Sequence, residues 1–432
     1  MIDSNGIKIA VILMWGLTFL SACHLEDPGM SGSDPALTLR ADQNLSLINL
    51  SWDPVNVTGF KEYIILQSTT DIPNGPTPVV NAETTVLKRI DNRDIHSLSV
   101  SNSLFAEHLC YKLYTSVNDR FLYSSTVCLD QDFTLFNGFN DRAGHEEGLD
   151  KLVMFDRVNT RLSVLDYKNE VINSSVLDNN FSFPMIDVST FEGTTNVFAY
   201  DLSPARMRKY KFPELSPLTY KDFGTLLYAI KPYKQFVFTS ADDFSKTFQV
   251  LNRSNFNTVD SRSGMTGNRN IALFEGDPLI VIEIGENSMM RYTINTSGNI
   301  IQEDLLNTGV SQISTENTTA NSDEYFICGR AGSIVNRNGE IIESIVKGVN
   351  SVSMINRFSP DKSKVVSIVN SNVKTSLEIN DISALPVITN IQSFDLPQAT
   401  YADVIVEDHI IYVMGVTFAS GQSQTFILKY PI

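Results

Sequence analysis

Glu275-Gly276-Asp277 reads as a turn, Leu279-Ile280-Val281-Ile282 as an apolar strand, and Tyr292-Thr293-Ile294 as a second strand that stops at Asn295. Both strands are short, rich in β-branched and aromatic residues, and bounded by turn formers, which favours strand over helix. The apolar strand recurs as Leu152-Val153-Met154-Phe155, Val197-Phe198-Ala199-Tyr200, Phe236-Val237-Phe238, Tyr325-Phe326-Ile327, Val365-Val366-Ser367-Ile368 and Ile410-Ile411-Tyr412-Val413. The seven starting residues lie 39 to 46 positions apart, a period near 43. The second strand recurs in step. Leu162-Ser163-Val164-Leu165 ends at Asp166, Phe248-Gln249-Val250-Leu251 at Asn252, Ser333-Ile334-Val335 at Asn336, and Leu377-Glu378-Ile379 at Asn380. The intervening copy turns at Phe212-Pro213.

A repeat of roughly 40–45 residues holding about four strands is the signature of a β-propeller blade. A β-helix has a shorter coil, and tandem sandwiches repeat at about twice this period. The region 131–432 is therefore expected to be a seven-bladed β-propeller. It resembles the YVTN and NHL/WD40-like propellers at the level of the blade. No Trp-Asp dipeptide ends a strand, so a true WD40 assignment lacks its motif. The last copy is short. Its ring can borrow a strand from near Phe133-Thr134-Leu135-Phe136, although the sequence leaves the closure open.

Residues 36–130 show a different pattern. Short alternating strands run through Leu47–Trp52, Gly59–Leu66, Cys110–Val117 and Phe121–Leu129, as in a β-sandwich. Trp52 stands two before Pro54, Gly59 four before Tyr63, and Tyr111-x-Leu113 precedes an Asn118-Asp119-Arg120 turn. These details resemble a fibronectin type III module. In a hairpin centred on Asp119, Cys110 falls directly opposite Cys128, close enough to bridge. A Cys110–Cys128 disulfide is expected. Cys328 lies in an apolar strand and reads as core.

The N-terminus carries an address. Lys8 precedes the apolar run Ile9 to Leu20, which is short of the roughly 20 residues that span a bilayer. Leu20-Ser21-Ala22-Cys23 follows and resembles the bacterial lipobox, whose Cys is acylated. Residues 1–22 then read as a lipoprotein signal peptide, Cys23 as the lipidated residue, and 23–35 as a tether. Glu26-Asp27 resembles the acidic export signal of Bacteroidota surface lipoproteins. The resemblance implies a lipid-anchored outer-membrane location exposed at the cell surface.

Charge and composition exclude several functions. The 432 residues carry 49 acids against 33 bases, net −16, which argues against a nucleic-acid surface. Five His and four Cys argue against a multi-metal enzyme. No Cys-x-x-Cys, Gly-x-Ser-x-Gly or Walker loop occurs, and no cofactor is expected. A structural calcium is an alternative without an Asp-x-Asp-x-Asp loop behind it. His145-Glu146-Glu147 begins like a zinc-protease motif, lacks the second His, and reads as an interdomain linker. By the repeat register, Arg206, Asp242, Asp243, Glu286 and Arg330 fall in turns between the second and third strands of their blades. They are candidate ligand- or partner-binding residues sharing one face. The leading expectation is a non-enzymatic scaffold, an accessory subunit of an outer-membrane protein complex. A glycan-binding surface lipoprotein of a nutrient-uptake system and a hydrolase or lactonase-type propeller enzyme are the rivals.

Overall fold

The computed structural model describes residues 37–432 apart from 103–104, 107, 131–134, 180, 182–183, 202–204, 225, 243–246, 266–268, 286–287, 307–319, 348–349 and 420–421. The signal, Cys23 and the tether lie outside the described residues, as do Asp243 and Glu286. The described residues hold strands and turns, with no helix among them.

Seven four-stranded antiparallel sheets follow one another from residue 142. They span 142–177, 185–222, 226–263, 270–306, 320–344 and 351–396, and the seventh joins 400–431 to an N-terminal strand. The innermost strands neighbour one another in cyclic order, and the last touches the first, so the sheets form a closed seven-bladed propeller. The recurring apolar strand is the second strand of every blade, for example Lys151–Asp156 and Leu279–Ile284. It is buried because a blade packs on both neighbours, which explains its unbroken apolar runs. Fourth strands face solvent on the rim and alternate, as Val171–Leu177 does. Neighbouring innermost strands approach closely. A Cβ on Gly144 would lie 2.7 Å from Ile186 Cγ2 and 2.8 Å from its carbonyl oxygen, so the first two blades approach only because Gly144 has none.

Leu135–Asn137 closes the ring as the outer strand of the seventh blade, with Leu135 opposite Phe426 and Asn137 opposite Gln424. Asn140 donates from its amide and side chain to Thr425 Oγ1, which donates to the Gly138 carbonyl. Among the described residues, Leu135–Asn137 pairs with Gln424, Thr425 and Phe426 of Gln422–Pro431.

Residues 39–130 form a three-stranded and a five-stranded sheet. Ile48, Leu50 and Trp52 from the first pack on Tyr63, Ile65, Leu109, Tyr111 and Leu113 from the second. Trp52 meets Tyr63 edge-on at 5.5 Å between centroids. The Tyr63 hydroxyl accepts from Val55 N (3.0 Å) and donates to the Arg93 carbonyl (3.3 Å), so this buried polar atom is satisfied. The sulfurs of Cys110 and Cys128 are bonded, and the two residues sit opposite in the ladder. The turn geometry behind that pairing differs from a hairpin centred on Asp119. The turn is the two-residue Asn118-Asp119, both at positive φ, and Val117 pairs Arg120. An extra residue around Ser124, whose hydroxyl accepts from Leu113 N at 3.0 Å, shifts the register back so that the cysteines still meet.

The sandwich docks on the seam of blades 6 and 7. Ser46 N donates to the Lys429 carbonyl (3.0 Å) and Lys429 N to Ser46 Oγ (2.7 Å), so the Asn44–Leu47 turn also bonds Gln422–Pro431, farther along the strand. Ser101 Oγ donates to the Asp395 carbonyl and lies 3.1 Å from the Tyr430 hydroxyl. Leu47 and Phe105 enter the propeller's own core beside Ile411, Val413 and Phe426.

Candidate functional site

A cavity of about 1330 Å³ occupies the propeller axis. The innermost strands supply its walls, and the turns between first and second strands form its mouth. These turns are tight: Glu192 and Gly193 both take positive φ, and so do Lys234 and Lys362. Each blade thereby presents a charged residue, in order Glu147, Glu192, Lys234, Glu275, Asp323, Lys362 and Asp408. Glu192, Glu275, Asp323 and Asp408 are exposed. Lys362 reaches across the mouth to Glu147 at 2.7 Å. The rim is therefore predominantly acidic.

Inside, Arg142, Asp187, Lys231 and Arg357 project from four innermost strands into the cavity. Asp187 lies 3.6 Å from Lys231 Nζ, and Arg357 donates to buried Asp403 behind it. Desolvation pushes the Asp187 carboxyl above its ordinary value, with Lys231 opposing. It also raises the Tyr200 phenol, an effect that the Asp187 charge reinforces. Asp187 is thus the perturbed carboxylate of the channel, the residue on which acid–base chemistry there would rest.

His145-Glu146-Glu147 belongs to the first mouth turn of blade 1 rather than to a linker between domains. Glu146 accepts from the Thr190 amide (2.8 Å) and hydroxyl (2.5 Å) of blade 2. His145 Nε2 donates to the Leu149 carbonyl (2.8 Å), and its ring stands edge-on to Tyr167. Desolvation holds the His145 pKa below the ordinary 6.5, outweighing the hydrogen bond to Leu149. The unfolded chain then takes up a proton more readily than the folded one, so stability falls as pH drops through 6.5. A His145→Gln variant is expected to lose less stability than the native protein between about pH 7 and pH 5, as read by urea midpoints. Equal losses would remove His145 from the acid sensitivity.

The residues singled out from the repeat register sit at the other end of the blades. Arg206 begins a third strand, Asp242 ends a second strand and Arg330 lies between the two, so their turns share the end opposite the mouth. Arg206 is engaged by Asp222 of its own blade at 2.6 Å. The Arg330 carbonyl accepts from Ser353 N of the next blade at 2.6 Å. Neither Arg206 nor Arg330 lines the cavity. The channel residues escaped the sequence reading because they stand on the innermost strands, whose mixed polar and apolar sequences carry no recurring apolar run. The repeat itself, with Glu192-Gly193 and Glu275-Gly276-Asp277 preceding the apolar strand, marked the mouth turns without showing their convergence.

No protein-family model matches the chain, and no curated protein matches it. Solved propellers resemble it in architecture. The C-terminal WD40 domain of Sif2 aligns over 69% of this chain and 97% of its own at 10% identity, TM-score 0.45. A chain of a mitotic checkpoint complex covers 70% and 94% at 11% identity, TM-score 0.49. BamB from Moraxella catarrhalis covers 76% and 93% at 11% identity, TM-score 0.42. These are distant likenesses, and the function must be read from the chain's own residues.

Proposed function

We propose that this chain is a lipid-anchored, non-enzymatic scaffold of the bacterial outer membrane. In this reading Cys23 carries the anchor, a fibronectin type III-like module at 36–130 stands above it, and the propeller at 131–432 receives a protein partner of an envelope complex. The observation that carries the reading is the rigid, charged cavity mouth, to which every blade contributes one turn. Such a rim recognises shape and charge over a wide area, and rigid loops lose little entropy on binding. Its acidic bias, with the net charge of −16, suits a basic segment on the partner.

The test is recovery from native membranes in mild detergent with a C-terminal tag. A stoichiometric protein partner is expected, and recovery of this chain alone would count against the scaffold. Replacing Glu192, Glu275, Asp323 and Asp408 together by Lys is expected to lower partner recovery roughly tenfold or more, through slower association. Unchanged recovery would move the interface away from the mouth, and the turns bearing Arg206, Asp242, Asp243, Glu286 and Arg330 would be the next surface to alter. A glycan ligand is the second reading, favoured by half-buried Phe191, Tyr228 and Tyr233 on adjacent blades in the cavity wall. A glycan array without binders would remove it.

A further inference from the structure

The sandwich holds a second group of chemically capable side chains. His108 and Cys110 lie two apart on His108–Val117, and Cys128 and Asp130 two apart on Val127–Asp130, so all four share one face of the ladder. His108 Nδ1 is 2.8 Å from Asp130 Oδ1. Nδ1–H donates to the carboxylate, which leaves the Nε2 lone pair for a ligand, the orientation usual for metal-binding histidines. Nε2 points at Cys110 Sγ, 3.3 Å away. Asp71 Oδ1 closes the group from a loop, 3.1 Å from Cys128 Sγ and 3.7 Å from Cys110 Sγ. The donor atoms of Asp71, His108, Cys110 and Cys128 all lie within 4.8 Å of one another.

The loop bearing Asp71 is fixed from two sides. Thr126 Oγ1 donates to the Ile72 carbonyl (2.7 Å), and buried Lys112 donates to the Pro73 carbonyl and Asn74 Oδ1, each at 2.8 Å. Asp71 and His108 are exposed, so an ion can reach the group from solvent.

We propose that this cluster is a thiol-gated metal site. With the Cys110–Cys128 disulfide closed, it lacks two of its four ligands. When a dithiol of an exchange partner reduces it, two electrons enter the sulfur–sulfur bond and the bond breaks. The donor leaves as its own disulfide, and its two protons pass to Cys110 and Cys128. One divalent cation of the zinc class then binds both sulfurs as thiolates, His108 Nε2 and Asp71 Oδ1, and the two protons are released to water. Two thiolates with an imidazole and a carboxylate suit tetrahedral zinc. Calcium and magnesium prefer six or more oxygens. Zinc bonds of about 2.0–2.3 Å in a tetrahedron put neighbouring donors about 3.3–3.8 Å apart, so chiefly the two sulfurs must separate.

The test uses the full chain in detergent, with cobalt(II) as probe. Protein is left oxidised or reduced with dithiothreitol, and the reductant is removed before cobalt is added. The reduced form is expected to take one equivalent with a thiolate-to-cobalt charge-transfer band and the visible bands of a tetrahedral ion, all abolished by zinc. The oxidised form is expected to take less than a tenth of an equivalent. His108→Ala and Asp71→Ala keep the disulfide and are each expected to weaken cobalt binding by tenfold or more. Cys23 and Cys328 are common to every variant. Absence of the charge-transfer band on reduction, or a cobalt affinity of either reduced variant equal to that of the reduced native chain, would overturn the proposal. Should reduction loosen the sandwich, cobalt is expected to restore the oxidised Trp52 emission in the native chain and not in His108→Ala; no restoration would also overturn it.

Discussion

Glu283→Ala is expected to cost about 3–5 kcal/mol, the usual penalty for stranding the partner of a buried ion pair. Glu283 and Arg269 are both fully buried, with 3.4 Å between Oε1 and the guanidinium. Glu283 also accepts from Ser240 Oγ (2.5 Å), the Tyr292 hydroxyl (3.1 Å) and Met265 N (3.2 Å). Ser240 belongs to blade 3 and Tyr292 to blade 4, so one carboxylate ties the seam. Arg269 also donates to the Ala241 carbonyl and lies over the Tyr228 ring. Removing the carboxylate leaves a desolvated cation and several orphaned donors together. A urea titration followed by circular dichroism measures the loss. Arg269→Met made alongside Glu283→Met removes both charges, and the double variant is expected to lose less than the two single losses added. A single-variant loss under about 1 kcal/mol would show that this seam is held by packing alone.

Phe426→Ala is expected to be comparably damaging, at about 3–5 kcal/mol for a buried aromatic deleted from a core. Its ring packs on Phe105 at 4.6 Å and Tyr401 at 6.0 Å between centroids. The Gly415 backbone approaches so closely that a Cβ there would sit 2.6 Å from Phe426 Cζ. Phe426 pairs with Leu135 in the closing strand and touches Phe105 of the sandwich, so both ring closure and docking depend on it. Trp52 reports the sandwich and circular dichroism reports every strand. The two unfolding curves are expected to coincide in the native chain and to separate in Phe426→Ala, with circular dichroism moving first. Coincident curves at an unchanged midpoint would show that the seam needs no such anchor.

The blade repeat was legible because each second strand is buried on both faces. Burial demands unbroken apolar runs, and such runs survive where other similarity has gone. The closing strand was only a candidate, because three residues from Leu135 to Asn137 carry no periodicity of their own. The cysteine pairing was legible although the turn was read one residue off, since the irregularity at Ser124 compensates. Channel residues such as Asp187 and Lys231 were invisible. They meet across blades, and no local pattern announces a partner some 40 residues away. The mouth charges look in sequence like any solvated turn.

The strand edge shared by Ser46, Leu135–Asn137 and Gln422–Pro431 also fixes an order of assembly. The partners of this seam stand nearly 290 residues apart at Thr425 and Gly138, and farther still at Ser46 and Lys429. Contacts between such distant segments carry the greatest loop-closure entropy and form late. A chain made from its N-terminus exposes Leu135–Asn137 until the seventh blade is made, and six blades can stack before the seventh has a partner. Gln422–Pro431 therefore acts as a latch, dropping into place only after the six preceding blades have been made. Until then the protein offers its unpaired edges to whatever chaperone attends it.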